Sequence, residues 1–141
     1  MKATCVLIAV GNQTMLRSLK TLVEPHVEVS AMIDNVLSLS DLVEVLAPDL
    51  AIVHMTIPDR EHINMMRHLK SRFPELKMIV VSDHTDSVVV CDVLNEGVQG
   101  YVFQHNAKTE LLPAVEEVLR GGTYVSAIEG QEGEHLANPQ N

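Results

Sequence analysis

Three histidines, a serine and a glutamine stand where apolar runs of this chain stop, and they are the side chains best placed to do chemistry. His54 follows Leu50-Ala51-Ile52-Val53. Ser82, Asp83 and His84 follow Met78-Ile79-Val80-Val81, and Gln104 and His105 follow Gly100-Tyr101-Val102-Phe103. Imidazole is a competent nucleophile, so His54 is a candidate to accept a phosphoryl group as phosphohistidine. The plainer reading is a neutral ring that fills a collapsed pocket and bonds to Ser82 or Gln104. If the three runs are neighbouring strands, His54, His84 and His105 could converge on Zn²⁺ or another borderline metal. Their spacing is dispersed, and in a chain with seven histidines a chance cluster is the better reading. No metal and no cofactor is expected. Val10-Gly11-Asn12-Gln13-Thr14 lacks the glycine pattern of a dinucleotide-binding loop.

The elements that must position these residues are readable from periodicity. Pro48-Asp49 opens a turn, four apolar residues follow, and His54 stops the run before Met55-Thr56-Ile57-Pro58. A short apolar run between turn signals suits a strand buried on both faces of a parallel sheet. In open α/β sheets ligands collect just past the carboxyl ends of such strands, which is where His54 stands. Residues 4–10, 27–33, 78–81 and 100–103 read as four further strands. Met15, Leu16, Leu19, Leu22 and Val23 recur at helical spacing up to Pro25, and Ile63, Met66, Leu69 and Phe73 do so up to Pro74. Ser40 is predicted to cap a second helix, residues 86–96 to form a fourth with Gly97 as its left-handed cap, and Thr109 to cap a fifth. Strict alternation of strands and helices predicts an α/β fold: a flavodoxin-like, doubly wound five-stranded parallel sheet of order 2-1-3-4-5, helices on both faces.

With 141 residues the chain is one domain, 46% hydrophobic and 21% charged, ordinary values for a soluble globular protein. A net charge of −9 argues against this piece gripping a phosphate backbone by itself. Two scattered cysteines, Cys5 and Cys91, fit thiols of a reducing cytosol. No membrane-spanning segment is present, and a cytoplasmic setting is expected. From residue 126 the composition becomes that of a flexible linker or tail, so the ordered domain is placed at 1–125.

Pro48-Asp49 to Pro58, Phe73-Pro74, Gly97-Val98-Gln99-Gly100-Tyr101 and Leu119-Arg120-Gly121-Gly122-Thr123-Tyr124-Val125-Ser126 together closely resemble receiver domains of two-component response regulators. The last phrase resembles the LuxR/NarL-type branch. The resemblance implies five chemical positions. Two acidic residues that help hold Mg²⁺ are here Val10 and Gly11, and the phosphoacceptor aspartate is His54. The Ser/Thr that touches the phosphoryl group is Ser82, the charge-neutralising lysine is Gln104, and the aromatic that moves on activation is Tyr101. Mg²⁺ wants oxygen ligands, and phosphoryl transfer is mostly positioning plus charge neutralisation. A pocket with Val, Gly and His in place of three carboxylates is therefore expected not to be phosphorylated.

The expected function is that of a non-enzymatic pseudo-receiver in transcriptional regulation, acting through a protein partner or as a homodimer. DNA contact is expected only through a helix-turn-helix domain beyond these residues. The alternative is a small-ligand or metal sensor using the vacated pocket beside Ser82 and Gln104. Ser82 with Tyr101 is the switch-like pair. Val88-Val89-Val90, Cys91, Val93 and Leu94 place apolar residues on more than one face of the fourth helix, which usually marks a partner. Val89, Val93, Tyr101 and Phe103 are the interface candidates.

Overall fold

The computed structural model describes residues 4–10, 13–24, 28–33 (backbone only), 39–56 and 58–126. In chain order the elements are β1 (Cys5–Ala9), α1 (Gln13–Val23), β2 (Glu28–Ile33), α2 (Leu39–Leu46), β3 (Leu50–His54) and α3 (Arg60–Arg72). They continue with β4 (Lys77–Ser82), α4 (Ser87–Asn95), β5 (Gly100–Phe103), a short 3₁₀ turn (Gln104–Asn106), α5 (Ala107–Leu119) and β6 (Tyr124–Val125). Every strand pair is parallel, in the order β2-β1-β3-β4-β5-β6. The predicted order 2-1-3-4-5 is present, extended by a two-residue sixth strand that sequence patterning did not single out.

Successive side chains of a strand point to opposite faces, so each apolar run feeds two cores. Leu7, Ala9, Ala51, Val53, Met78, Val80, Tyr101 and Phe103 pack on one face against α2, α3 and α4. Val6, Ile8, Val10, Leu50, Ile52, Ile79, Val81 and Val102 pack on the other against α1 and α5. This double burial is why the strands read as continuous apolar runs rather than alternating ones. Leu16, Leu19 and Val23 bury the predicted stripe of α1, and Met66 and Leu69 that of α3.

The helix ends explain how loops reach the sheet's carboxyl edge. Asp59 caps α3 by accepting from the His62 N–H at 3.0 Å, and Asp86 caps α4 by accepting from the Val88 N–H at 2.8 Å. Gly97 lies at φ +97° and ends α4 as predicted. Two capping expectations are corrected. Ser40 lies inside α2, its hydroxyl taken by Arg72 Nη1 at 2.9 Å. Thr109 lies inside α5, which starts two residues earlier because the 3₁₀ turn has already set helical geometry; its hydroxyl donates to the Asn106 carbonyl at 3.2 Å.

Candidate functional site

The carboxyl edge of β3, β4 and β5 brings His54, Ser82 and Gln104 to one end of the sheet, because parallel strands end on the same side. His54 is half-buried, and its Nε2 lies 2.7 Å from Gln104 Oε1. Since an amide oxygen only accepts, that ring nitrogen carries the proton. Of the two partners expected for His54, the structure selects Gln104. Val10 is fully buried among Val6, Ile8 and Leu16 and offers no ligand atom. Gly11 lies outside the described residues.

Ser82 is fully buried and its hydroxyl is already engaged twice. It donates to the Thr56 carbonyl at 3.1 Å and accepts from the His84 N–H at 3.0 Å. The phenol of Tyr101 reaches the next peptide group, donating to the His84 carbonyl at 2.7 Å. Ser82 and Tyr101 thus clamp the backbone of His84 between them. Burial pushes the Tyr101 phenol above its usual range; the Ser82 hydroxyl opposes that rise and the Asp83 charge adds to it.

His84 is half-buried and His105 exposed, its ring stacked on Phe103 at 6.0 Å between centroids. Among the described residues no three His, Cys, Asp or Glu side chains are grouped to hold a metal ion. The three imidazoles share an edge of the sheet without sharing a centre.

The interface candidates need correction. Val93, Tyr101 and Phe103 are buried in the core and present no contact surface in this conformation. The reason is the phase set by the Asp86 cap, which turns Val90 and Val93 toward the sheet. β5 points Tyr101 and Phe103 into the same layer, their rings edge-to-face at 5.9 Å. Val89 is half-buried. The apolar residue that α4 turns to solvent is Val88, 67% exposed, beside exposed Cys91.

Sequence reasoning also misses Ser126, the first residue of the expected tail. It is 1% exposed. Its hydroxyl donates to Glu110 Oε1 and accepts from the Phe103 N–H at 3.0 Å, while its own N–H donates to the Tyr101 carbonyl at 2.9 Å. The segment after α5 is therefore stitched along β5, the strand that carries Tyr101. The sequence signals were a serine placed directly after a β-favouring Tyr-Val pair and its place at the end of the phrase that resembles the LuxR/NarL-type branch.

Residues 6–116 match the response regulator receiver domain family. The chain belongs to that family. This receiver is 32% identical over 102 residues to the transcriptional regulatory protein DegU of Brevibacillus brevis, covering 72% of the chain and 43% of that protein. It is 29% identical over 98 residues to the DNA-binding transcriptional activator DevR/DosR of Mycobacterium tuberculosis, covering 70% and 45%. The receiver thus spans less than half the length of these curated relatives.

Solved structures agree on the fold. A two-component response regulator of the LuxR family from Aurantimonas sp. superposes with a TM-score of 0.82 at 18% identity, over 99% of each chain. The isolated REC domain of RcsB from Salmonella enterica serovar Typhimurium, in the presence of phosphomimetic BeF3⁻, gives 0.79 at 21% identity, over 89% of this chain and 94% of that one. Among the described residues no helix of the receiver is long and apolar enough to cross a membrane.

Proposed function

We propose that this receiver domain serves transcriptional regulation through protein contacts and without an aspartyl phosphate. The observation that carries the reading is the 2.7 Å hydrogen bond between His54 and Gln104. In the receiver pattern these are the positions of the acceptor aspartate and of the lysine that neutralises the phosphoryl charge. Here an imidazole and an amide satisfy each other across the mouth of the pocket. With Val10 buried and Gly11 lacking a side chain, neither metal-holding position of the receiver pattern offers a carboxylate, and Asp83 after Ser82 would not by itself make a Mg²⁺ site. Neither metal nor cation then remains to stabilise phosphoryl transfer.

The Ser82–His84–Tyr101 clamp ties the switch-like pair to the loop between β4 and α4, which supports a switch set by what that loop touches. Val88 and Val89 on α4 supply apolar surface for a second copy or another regulator. DNA contact would fall to a further domain, as the relatives' greater length and the charge of −9 suggest. A metal-sensing pocket draws no support from histidines that do not group.

The test is NMR of the full chain with beryllofluoride or acetyl phosphate plus Mg²⁺. Spectra that stay unchanged support the reading. A stable adduct, with shifts centred on residues 54, 82 and 104, overturns it.

A further inference from the structure

At the amino edge of the sheet, opposite the end that carries His54, the starts of β1, β3 and β4 border a cavity of about 710 Å³. That volume suits a small molecule, whose sites run to roughly 300–1,000 Å³. Buried Val43 from α2 and buried Leu76 before β4 form its apolar floor, with half-buried Phe73 beside them. The charged groups around it are unequal in sign and in commitment. Glu44, Asp49 and Glu75 line it against Lys77 alone. The Lys77 ammonium already donates to the Leu119 carbonyl at 3.2 Å, and Glu44 is paired with Arg72 at 3.0 Å. Asp49 is half-buried and fixed in place. Its N–H donates to the Cys5 carbonyl at 2.9 Å, and its Oδ2 accepts from the Cys5 N–H at 2.8 Å. Among the described residues its Oδ1 takes no hydrogen bond, and Glu75 has neither an ion pair nor a side-chain hydrogen bond. An apolar floor thus meets two uncommitted carboxylates, one of them anchored to the backbone of β1.

We infer that this cavity binds a small organic cation, an amine carrying a ring-sized apolar body, its ammonium on Asp49 and Glu75 and its body on Val43, Phe73 and Leu76. The sign of the wall selects the charge. An anion would face these carboxylates with the lone ammonium already engaged. A bare divalent metal wants several oxygen ligands, and among the described residues the acidic side chains do not group to hold one. A second copy laid cavity to cavity would oppose carboxylate to carboxylate. An organic cation meets both features, since its body covers the apolar floor while its charge finds a fixed partner. Phe73 suits such a guest, for its ring already takes the Arg72 guanidinium at 4.8 Å from the centroid. The inference does not rest on whether the domain can be phosphorylated, because that pocket lies at the other end of the strands.

Amide-resolved NMR titration of the full chain tests it. Phenethylamine and cyclohexylethylamine are set beside phenethyl alcohol and phenylpropionate, which keep the body but lose or reverse the charge. Shifts under either amine should centre on Val43, Asp49, Leu76 and Lys77. The alcohol should bind about tenfold more weakly, and the carboxylate should leave these amides unmoved. Asp49→Asn keeps an oxygen for the Cys5 N–H, and Glu75 is exposed, so the double variant Asp49→Asn/Glu75→Gln should fold. Far-UV circular dichroism verifies that, and Glu75→Gln alone serves if it does not. The variant should lose about tenfold in amine affinity while its affinity for the alcohol holds. Absence of shifts under both amines, shifts centred away from the amino edge, equal binding of amine and carboxylate, or full amine affinity in the variant overturns the proposal. So does Mg²⁺ alone moving the same amides and displacing the amine, because the site would then be one for a metal.

Discussion

The Tyr101 hydroxyl donates at 2.7 Å to the His84 carbonyl, and the N–H of that same residue donates to Ser82 Oγ at 3.0 Å. The two peptide groups that flank the His84 Cα, in the loop between β4 and α4, are therefore each held by a side chain rooted in the sheet. Tyr101→Phe keeps the buried ring and deletes one of these bonds. The expected cost is about 1 kcal/mol, the usual worth of a hydrogen bond whose partner is left unpaired. A urea midpoint shift measures it. Amide exchange at residues 83–86 should quicken, and unchanged protection there would show that the phenol does not restrain the loop.

Alkaline pH should weaken the fold. Burial raises the Tyr101 phenol; burial first, then the charge and hydrogen bonding of Glu110, raise that of Tyr124. The folded state thus favours the protonated phenols. Their contribution is complete below the unfolded tyrosine value of about 10 and is lost as pH climbs through the folded values. With two tyrosines and no tryptophan in the chain, absorbance near the tyrosinate band reads this directly. The native midpoint should lie above that in urea. Coincident midpoints would refute the shift.

Ser126 ties the residue after β6 to β5 and α5 through one hydroxyl and one N–H. Ser126→Ala strands the Phe103 N–H and removes the donor facing Glu110. A loss of about 1–3 kcal/mol is expected, because buried donors left unpaired keep their full desolvation cost. If the unfolding midpoint is unchanged, β6 is an ornament of the sheet rather than part of its stability.

Ala47 should tolerate, and profit from, losing its side chain. It follows α2 at φ +46°, with its N–H donating to the Val43 carbonyl at 2.9 Å. That is the left-handed position where glycine is at home and a Cβ is crowded. Ala47→Gly is expected to stabilise by about 0.5–1 kcal/mol. Lower thermal stability in calorimetry would show that the neighbouring Pro48 turn, not the Cβ, governs the site.

The α4 surface makes a separate claim. Val88→Asp places a charge at an exposed position of the first helical turn, so the isolated domain should fold as before. If α4 joins two copies, analytical ultracentrifugation should show the dimer weakened by about tenfold or more, through burial of an unpaired charge. An unaltered association constant would remove α4 from the contact. Cys91, exposed on the same helix, gives a second handle: a spin label there should broaden across the dimer.

Local residue order determined much of this protein. Apolar runs bounded by Pro, Gly and Asp marked the five main strands, and helical spacing marked the buried stripes of α1 and α3, because strand and helix periods are properties of neighbouring residues. The identities at the pocket, His54 and Gln104 among them, were equally open to view, since they stand where runs stop. Tertiary structure alone decided which partner His54 takes, since Ser82 ends β4, Gln104 follows β5, and the choice depends on their relative register. It alone decided that Val93, Tyr101 and Phe103 are core while Val88 is surface. A helix apolar on several sides has no preferred face until a cap and a sheet set its rotation. It alone, too, added β6 and buried Ser126. A two-residue strand carries almost no periodicity of its own, and it exists because the edge of β5 offers it backbone hydrogen bonds.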